Sequence, residues 1–368
     1  MKLTAQIKLH PTPAQADALR RTLEAANAAC DAISRAAWEA RTFRQFDMHR
    51  LCYHDIRAAY GLSAQVTVRC IAKVADAYKL DRKTLRTFQP TGALAYDARI
   101  LSFKADSVSI WTVDGRAAIP FVCGERQRAM LQTQKGESDL VFRRGAWFLY
   151  VTCDVETPNP IEVNGTLGID LGVTNIATDS DGTVYSGKTV TSIRYRHRRL
   201  RNKLQKLGTL GSRRRLKRLA GQEYRFATHT NHVLSKQLVA TAKRTKRAIV
   251  LEDLTHIRTR IRARRSQRAI LHSWAFAQLR AFVGYKAELS GVPVHFVDPR
   301  NTSRTCPECG YCDKGNRKTQ AAFKCLSCGF AGLADRIAAI NIGRRAAVNQ
   351  PHRSEADGSV APERKPAA

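Results

Sequence analysis

The chain has 368 residues, of which 43% are hydrophobic, so it can build real cores and is not disordered throughout. Lys and Arg number 62 against 31 Asp and Glu, which gives a formal net charge of +31. A chain this basic repels itself unless a polyanion neutralises it, and nucleic acid is favoured over an acidic membrane. The sequence contains no run of about 18 apolar residues, so no transmembrane helix is predicted. No secretory signal is evident either, and a cytoplasmic location is expected.

The first part of the chain predicts one strand, a helical block and a set of short strands. Residues 1–10 alternate between polar and apolar side chains, as a strand does. Thr12, with Gln15 three residues later, predicts the start of helical structure over residues 11–90. Residues 91–158 contain short alternating runs separated by turn signals, which predict a small β-barrel or sandwich. The first strand is expected to join these strands, so that the helical block is an insertion.

A second domain is predicted after a proline-containing linker at residues 157–160. Its strands are expected near residues 173–179, 183–186, 248–251 and 292–297. Its helices are expected in two stretches over residues 190–245, over 272–290 and from about Asp335. The apolar run at 248–251 is typical of a strand buried in a parallel sheet. Residues 346–368 are polar and rich in Ala and Pro, which predicts a disordered tail.

Three acidic residues stand beside apolar segments: Asp170, Glu252 and Asp335. A charge in such a place is costly unless it is paired or binds a metal, so the three together predict a metal cluster. Mg²⁺ and Mn²⁺ take carboxylate oxygens, and two such ions about 4 Å apart can promote phosphodiester hydrolysis. Taken singly, Asp170 could end a strand at a turn, and Glu252 and Asp335 could cap the segments that follow.

Four of the ten cysteines form two Cys-x-x-Cys pairs, Cys306 with Cys309 and Cys325 with Cys328, separated by fifteen residues. This spacing predicts a tetrahedral structural Zn²⁺ site with no open position. A redox motif would need only one pair, and with no export signal disulfides are not expected. Cys312 is an alternative ligand whose spacing fits less well.

Three basic tracts lie between the segments that carry the three acids, and they predict contacts with nucleic-acid phosphates. A run of charges is more often a solvated face, and that alternative stays open. The arginines expected to bind nucleic acid are Arg194, Arg196, Arg198, Arg199, Arg213, Arg214, Arg215, Arg262, Arg264 and Arg265.

The order of these motifs resembles the TnpB family, the RNA-guided DNA nucleases encoded by insertion sequences and related to type V CRISPR effectors. Between about residues 165 and 343 the motifs are Gly-Ile-Asp-Leu-Gly-Val-x-Asn, Ile-Val-Leu-Glu-Asp-Leu, two Cys-x-x-Cys-Gly knuckles and Ala-Asp-x-x-Ala-Ala-x-Asn-Ile. The resemblance implies an α+β multidomain chain. It would hold a RuvC nuclease domain of ribonuclease H-like fold with an inserted zinc ribbon, and a wedge-like N-terminal β-barrel with a helical recognition insertion.

The resemblance also implies a role for particular residues. Asp170, Glu252 and Asp335 stand where the family has its catalytic triad, and the four paired cysteines stand where it has zinc ligands. Leu333 and Ile337 occupy positions at which the family often has His and Asn. The implied boundaries are 1–10 and 91–158 for the barrel, 11–90 for the insertion, 165–301 and 331–345 for the RuvC domain, 302–330 for the zinc module and 346–368 for the tail.

The implied function is an RNA-guided DNA endonuclease that uses Mg²⁺ or Mn²⁺, with a guide RNA and a target double-stranded DNA as partners. One alternative is a nuclease-silent relative that represses transcription by guided binding, although all three acids are present. A second alternative is a ribonuclease H-like DNA transposase, against which the zinc module and the N-terminal barrel argue. Co-purification of a specific RNA would separate the transposase from the other two.

Overall fold

The chain divides between Glu156 and Thr157 into an N-terminal unit and a C-terminal unit, each with its own buried core. This division falls at the predicted linker. The computed structural model describes residues 1–254, 276–319 and 321–348. Within these ranges, no helix combines the length and the apolar character that crossing a membrane requires.

The N-terminal unit contains seven strands in one nearly closed barrel sheet. They are β1 (Lys2–Leu9), β2 (Leu94–Tyr96), β3 (Leu101–Phe103), β4 (Ser107–Thr112), β5 (Gly115–Val122), β6 (Gln134–Arg143) and β7 (Ala146–Asp154). Their order is β2-β6-β7-β1-β5-β4-β3. β1 pairs with β7 along its whole length and with β5 at its end, so the expectation that the first strand joins the later ones is confirmed.

Three helices follow β1 in the chain: α1 (Pro13–Glu39), α2 (Gln45–Tyr60) and α3 (Ala64–Leu80). Thr12 caps α1 as predicted, because its hydroxyl accepts the Gln15 N–H while the Gln15 side chain accepts the Thr12 N–H. The buried faces of the helices share one core with the barrel, which explains how the unit accommodates them between β1 and β2. A further short helix, α4 (Glu125–Leu131), joins β5 to β6.

The C-terminal unit contains a five-stranded sheet. Its strands are β8 (Thr166–Asp170), β9 (Asn175–Asp179), β10 (Val184–Ser186), β11 (Ala248–Glu252) and β12 (Val294–Val297). The order is β10-β9-β8-β11-β12, with β8, β11 and β12 parallel to one another and β9 antiparallel to its neighbours. All of β11 is buried, as its apolar composition predicted for a parallel strand covered on both faces.

Helices cover both faces of this sheet. They are α5 (Lys188–Leu207), α6 (Leu210–Arg244), α7 (Phe276–Glu288) and α8 (Ala334–Val348). Ile249 and Leu251 of β11 pack in one core with α6 and α7, whereas Val250 packs with Ile342 of α8. Ala346 is buried in the same small cluster, so α8 continues into the first residues of the predicted tail. Residues 272–275 of the predicted helix and 349–368 of the predicted tail lie outside the described residues.

Gly168, in the middle of β8, lets α8 approach the sheet closely. A Cβ at this position would lie 1.9 Å from the carbonyl oxygen of Ala339 and 2.5 Å from the backbone nitrogen of Gly343. No other residue type fits a contact of helix backbone on strand backbone. This contact fixes α8 across β8.

Candidate metal centres

The predicted carboxylates come from two adjacent strands and one helix. Asp170 is the last residue of β8 and Glu252 is the last residue of β11. Since Ile169 pairs with Leu251 in parallel register, the next residue on each strand emerges at the same edge of the sheet. Asp335 lies in the first turn of α8, the helix that crosses β8. Two of the three acids are therefore strand neighbours, and the third is on the helix packed over them.

The electrostatics show that the three acids interact. Burial raises the pKa of Asp170 to about 7, and the negative charges of Glu252 and Asp335 act in the same direction. Burial also raises the pKa of Glu252, although the Thr302 hydroxyl, which donates to Glu252 Oε1 at 2.7 Å, opposes this. A carboxyl group whose pKa is raised in this way is stabilised as an anion when a metal cation binds to it. The donor set consists of hard oxygens, which suits Mg²⁺ or Mn²⁺.

Asp335 has two partners that the sequence did not single out. Asn175 Nδ2 donates to Asp335 Oδ2 at 2.9 Å, and Arg317 Nη2 donates to Oδ1 at 3.3 Å. Asp335 thus lies within the first turn and is held by side chains, rather than serving as the N-cap that was the alternative. Asn175 belongs to the Gly-Ile-Asp-Leu-Gly-Val-x-Asn motif, which was a signal for it.

Arg317 comes from the cysteine module, in the segment between its two Cys-x-x-Cys pairs. Its side chain is 23% exposed and pairs with Asp335, and its charge lowers the pKa of Asp170. Nothing in the local sequence could have revealed this contact, because it depends on how the module packs against α8.

The four predicted zinc ligands come together. Cys306 Sγ lies 3.6 Å from Cys328 Sγ, and Cys309 Sγ lies 3.5 Å from Cys325 Sγ. Four thiolates at about 2.3 Å from a tetrahedral Zn²⁺ would be about 3.8 Å apart, so the cluster fits this ion. Cys312 is exposed and stands outside the cluster.

Each knuckle of the cluster turns on a glycine. Gly310 and Gly329 have φ angles of +73° and +77°, and each donates its N–H to the carbonyl of the first cysteine of its pair. Left-handed backbone of this kind favours glycine, which accounts for the Gly that follows each Cys-x-x-Cys. The module is completed by a 3-10 helix (Lys314–Asn316) and by the antiparallel pair β13 (Ala322–Lys324) and β14 (Ala331–Leu333).

The cysteine module packs directly against α8. Cys306 and Phe323 share a buried cluster with Ile337 of the helix. Asn341 Nδ2 donates to the carbonyl oxygens of Thr302 and Thr305, both at 2.8 Å. Ile337, which departs from the pattern of the TnpB family, is thus a packing residue between module and helix.

The two clusters differ in tightness. Among the residues that the structure describes, the cysteines alone form a group of three or more Cys, His, Asp or Glu whose ligand atoms all lie within 4.8 Å of one another. The charges of Glu252 and Asp335 raise the pKa of Asp170, but the three carboxylates do not form so tight a group.

The predicted nucleic-acid contacts are on two consecutive helices. Arg194, Arg196, Arg198 and Arg199 lie on α5, and Arg213, Arg214 and Arg215 lie near the start of α6. All are exposed except Arg194, which is partly buried. Arg262, Arg264 and Arg265 lie outside the described residues.

Comparisons with known proteins agree with the motifs. Residues 150–256 match the model of a family described as "Probable transposase" (OrfB of IS605), and residues 276–342 match the model of the Cas12f1-like TNB domain. The chain is 35% identical to the CRISPR-associated endodeoxyribonuclease Cas12f1 of Sulfoacidibacillus thermotolerans over 54% of this chain and 50% of the relative. It is 33% identical to a TnpB-like protein of Methanocaldococcus jannaschii over 40% of this chain and 51% of the relative.

The fold is also similar to that of a solved protein. A Cas12f1 chain from a complex with sgRNA and target DNA aligns with a TM-score of 0.61 and 15% identity, covering 89% of this chain and 83% of that chain. The chain spans about half the length of the curated relatives that it matches. The predicted resemblance to the TnpB family is confirmed.

Proposed function

We propose that this chain is an RNA-guided DNA endonuclease of the TnpB type, which hydrolyses phosphodiester bonds with two Mg²⁺ or Mn²⁺ ions. The observation that carries the proposal is the meeting of Asp170, Glu252 and Asp335 at one edge of the C-terminal sheet. The curated relatives are named as endodeoxyribonucleases or TnpB-like proteins, which agrees with this chemistry. A guide RNA, a target double-stranded DNA and a cytoplasmic location belong to the same proposal.

The three carboxylates do not form a group within 4.8 Å of one another, as the cysteines do, and this favours two ions over one. A single Mg²⁺ holds its oxygen ligands at about 2.1 Å, so ligands that share it lie within about 4 Å of one another. Two ions about 4 Å apart allow their ligands to spread further. Asp170, Glu252 and Asp335 would hold the ions, and the pKa of Asp170 is raised by the charges of the other two acids.

When bound, the ions would supply an activated water and neutralise charge on the leaving oxygen. The protein holds the acids in place for this. Thr302 donates to Glu252, and Asn175 orients Asp335. Arg317 places a positive charge beside the carboxylates, where it would attract a phosphate oxygen. The arginines of α5 and α6 would hold nucleic-acid phosphates.

We also propose that Cys306, Cys309, Cys325 and Cys328 bind a structural Zn²⁺. The support is their tetrahedral spacing, with no position left for a substrate. Because the module packs against α8 and supplies Arg317, the zinc would act on cleavage through the placement of Asp335 and Arg317.

The test compares two neighbouring acids in the complete complex of protein with its co-purified RNA. Asp170→Ala is expected to abolish cleavage while RNA and target binding persist. Asp253→Ala is the matched control, because Asp253 is partly exposed and paired with Arg280 at 2.6 Å, and it should cleave as the wild type does. Cleavage by Asp170→Ala at the wild-type rate would refute the assigned centre. Tight guided binding with no cut product from the wild type would instead identify a nuclease-silent repressor.

A further inference from the structure

A cavity of about 600 Å³ lies between the two long helices of the C-terminal unit. Gly208, in left-handed conformation, and Thr209, which caps α6, make the tight turn that folds α5 back on α6. One face of each helix lines the cavity. The lining residues used below are Tyr195, His197, Arg198 and Arg201 of α5 with Glu223 and Tyr224 of α6.

Two aromatic rings of this cavity face solvent. Tyr195 is 62% exposed and Tyr224 is 65% exposed, although each lines the cavity. The guanidinium carbon of Arg199 lies 6.0 Å from the centre of the Tyr195 ring. Exposed aromatic rings among arginines are surfaces on which unpaired nucleic-acid bases stack, because every base offers a π-face and the phosphates find positive charge nearby.

A carboxylate on the wall of the cavity limits what can bind there. Glu223 pairs with Arg201 through Oε2, and its Oε1 lies 3.4 Å from His197 Nδ1. The carboxylate would repel a phosphate at this wall, but it can accept hydrogen bonds from N–H groups on the edge of a base. Arg198, which is exposed at the rim, can meet the phosphate instead.

We propose that this cavity binds an unpaired nucleotide of single-stranded RNA. The base stacks on Tyr195 and Tyr224 with its N–H edge toward Glu223, and the adjoining phosphate contacts Arg198. A base within a duplex is already stacked on its neighbours, so the cavity selects a loop, a bulge or a strand end. This inference rests on the proposed function, and it identifies which part of the RNA the α5–α6 hairpin holds.

The test measures binding of a short single-stranded oligoribonucleotide carrying 2-aminopurine to the full chain freed of co-purified nucleic acid. Tyr195→Ala and Tyr224→Ala should each weaken binding on the order of tenfold and reduce the quenching of 2-aminopurine. Tyr195→Phe and Tyr224→Phe keep the ring and should bind as the wild type does. Since both rings are mostly exposed, the alanine variants should keep the wild-type thermal unfolding midpoint.

Salt dependence separates stacking from phosphate contact. The tyrosine variants should keep the wild-type slope of log affinity against log salt concentration, because no phosphate contact is lost. Arg198→Ala should reduce the slope by about 1. A structural defect of the hairpin would change both affinity and slope in every variant, and would overturn the assigned roles.

Three outcomes would count against particular claims. Wild-type affinity and quenching in both alanine variants would overturn the stacking proposal, while steep salt-dependent RNA binding by the wild type would leave the proposed function standing. No RNA binding by the wild type would contradict the proposed function itself. Equal tyrosine-dependent binding of the matching oligodeoxyribonucleotide would overturn the assignment to RNA.

Discussion

The thiolate cluster and the carboxylate cluster both involve the start of α8, and they are built on opposite principles. The four cysteines come from two local knuckles, and their ligand atoms all lie within 4.8 Å of one another. The three acids come from segments far apart in the chain, and burial together with mutual repulsion raises the pKa of Asp170 to about 7. A closed, tight site suits a structural ion, whereas an open and electrostatically unfavourable one suits ions that must accept a substrate.

Disrupting the cysteine cluster should have the largest effect on folding and on cleavage. Cys306→Ser or Cys325→Ser removes a buried thiolate, so the module should unfold and release its contacts with α8. We expect loss of bound zinc, rapid proteolysis within residues 302–330 and loss of cleavage. Cys312→Ser is the matched control, because Cys312 is exposed and outside the cluster. Full zinc content in Cys306→Ser would contradict the ligand assignment.

Displacing α8 should disrupt the carboxylate cluster although none of the three acids is substituted. Gly168→Ala places a methyl group 1.9 Å from the Ala339 carbonyl oxygen, so strand and helix must separate. We expect the free energy of unfolding to fall by roughly 4 kcal/mol, with loss of cleavage. Gly284→Ala, in the middle of α7 where a Cβ meets nothing within 4 Å, is the control and should stabilise by about 0.5–1 kcal/mol. Denaturant unfolding measures the free energy of unfolding of both variants. Equal stability of the two would show that the close contact at Gly168 does not restrict the residue at this position.

Removing the charge of Asp170 should show how far repulsion within the carboxylate cluster destabilises the metal-free protein. The pKa of Asp170 is higher in the folded chain than its ordinary value of 3.8, so the folded state holds this proton more tightly than the unfolded state does. The free energy of unfolding therefore falls as pH rises from about 4 to about 7 and Asp170 loses its proton. Asp170→Asn should therefore stabilise the metal-free protein at pH 8 by up to about 4 kcal/mol, and by little near pH 4.

Magnesium supplies the control for this variant. Thermal unfolding at pH 8 should shift upward with Mg²⁺ for the wild type, because the ion relieves the repulsion, but not for Asp170→Asn. A variant that is no more stable than the wild type in metal-free buffer would show that the repulsion is absent.

The smallest expected effect concerns the hydroxyl that supports Glu252. The Thr302 hydrogen bond opposes the rise in the pKa of Glu252, so Thr302→Val should raise that pKa further. The acid limb of the cleavage rate against pH should then move to higher pH, with about 1 kcal/mol lost in stability. Thr302→Ser keeps the hydroxyl and should retain the wild-type profile. If the cleavage rate of Thr302→Val depends on pH as that of the wild type does, Thr302 does not support Glu252 in catalysis.

Features that depend on short stretches of chain were predictable from sequence alone. The helix cap at Thr12, the buried parallel strand that ends at Glu252 and the four-cysteine cluster follow from local patterns of polarity, spacing and turn residues. Local patterns suffice there because the cap is completed within three residues, each Cys-x-x-Cys knuckle is a short turn, and the strand is a continuous apolar run. The motif order also carries the resemblance to the TnpB family.

Tertiary structure decided which of these pieces meet. The register of β8 with β11 puts Asp170 beside Glu252, and the contact at Gly168 carries Asp335 toward them. Arg317 and the α5–α6 cavity had no local signal, since both arise where separately folded elements pack together. A sequence records the chemistry of each side chain, but the distance between residues on different elements is set only when those elements pack together.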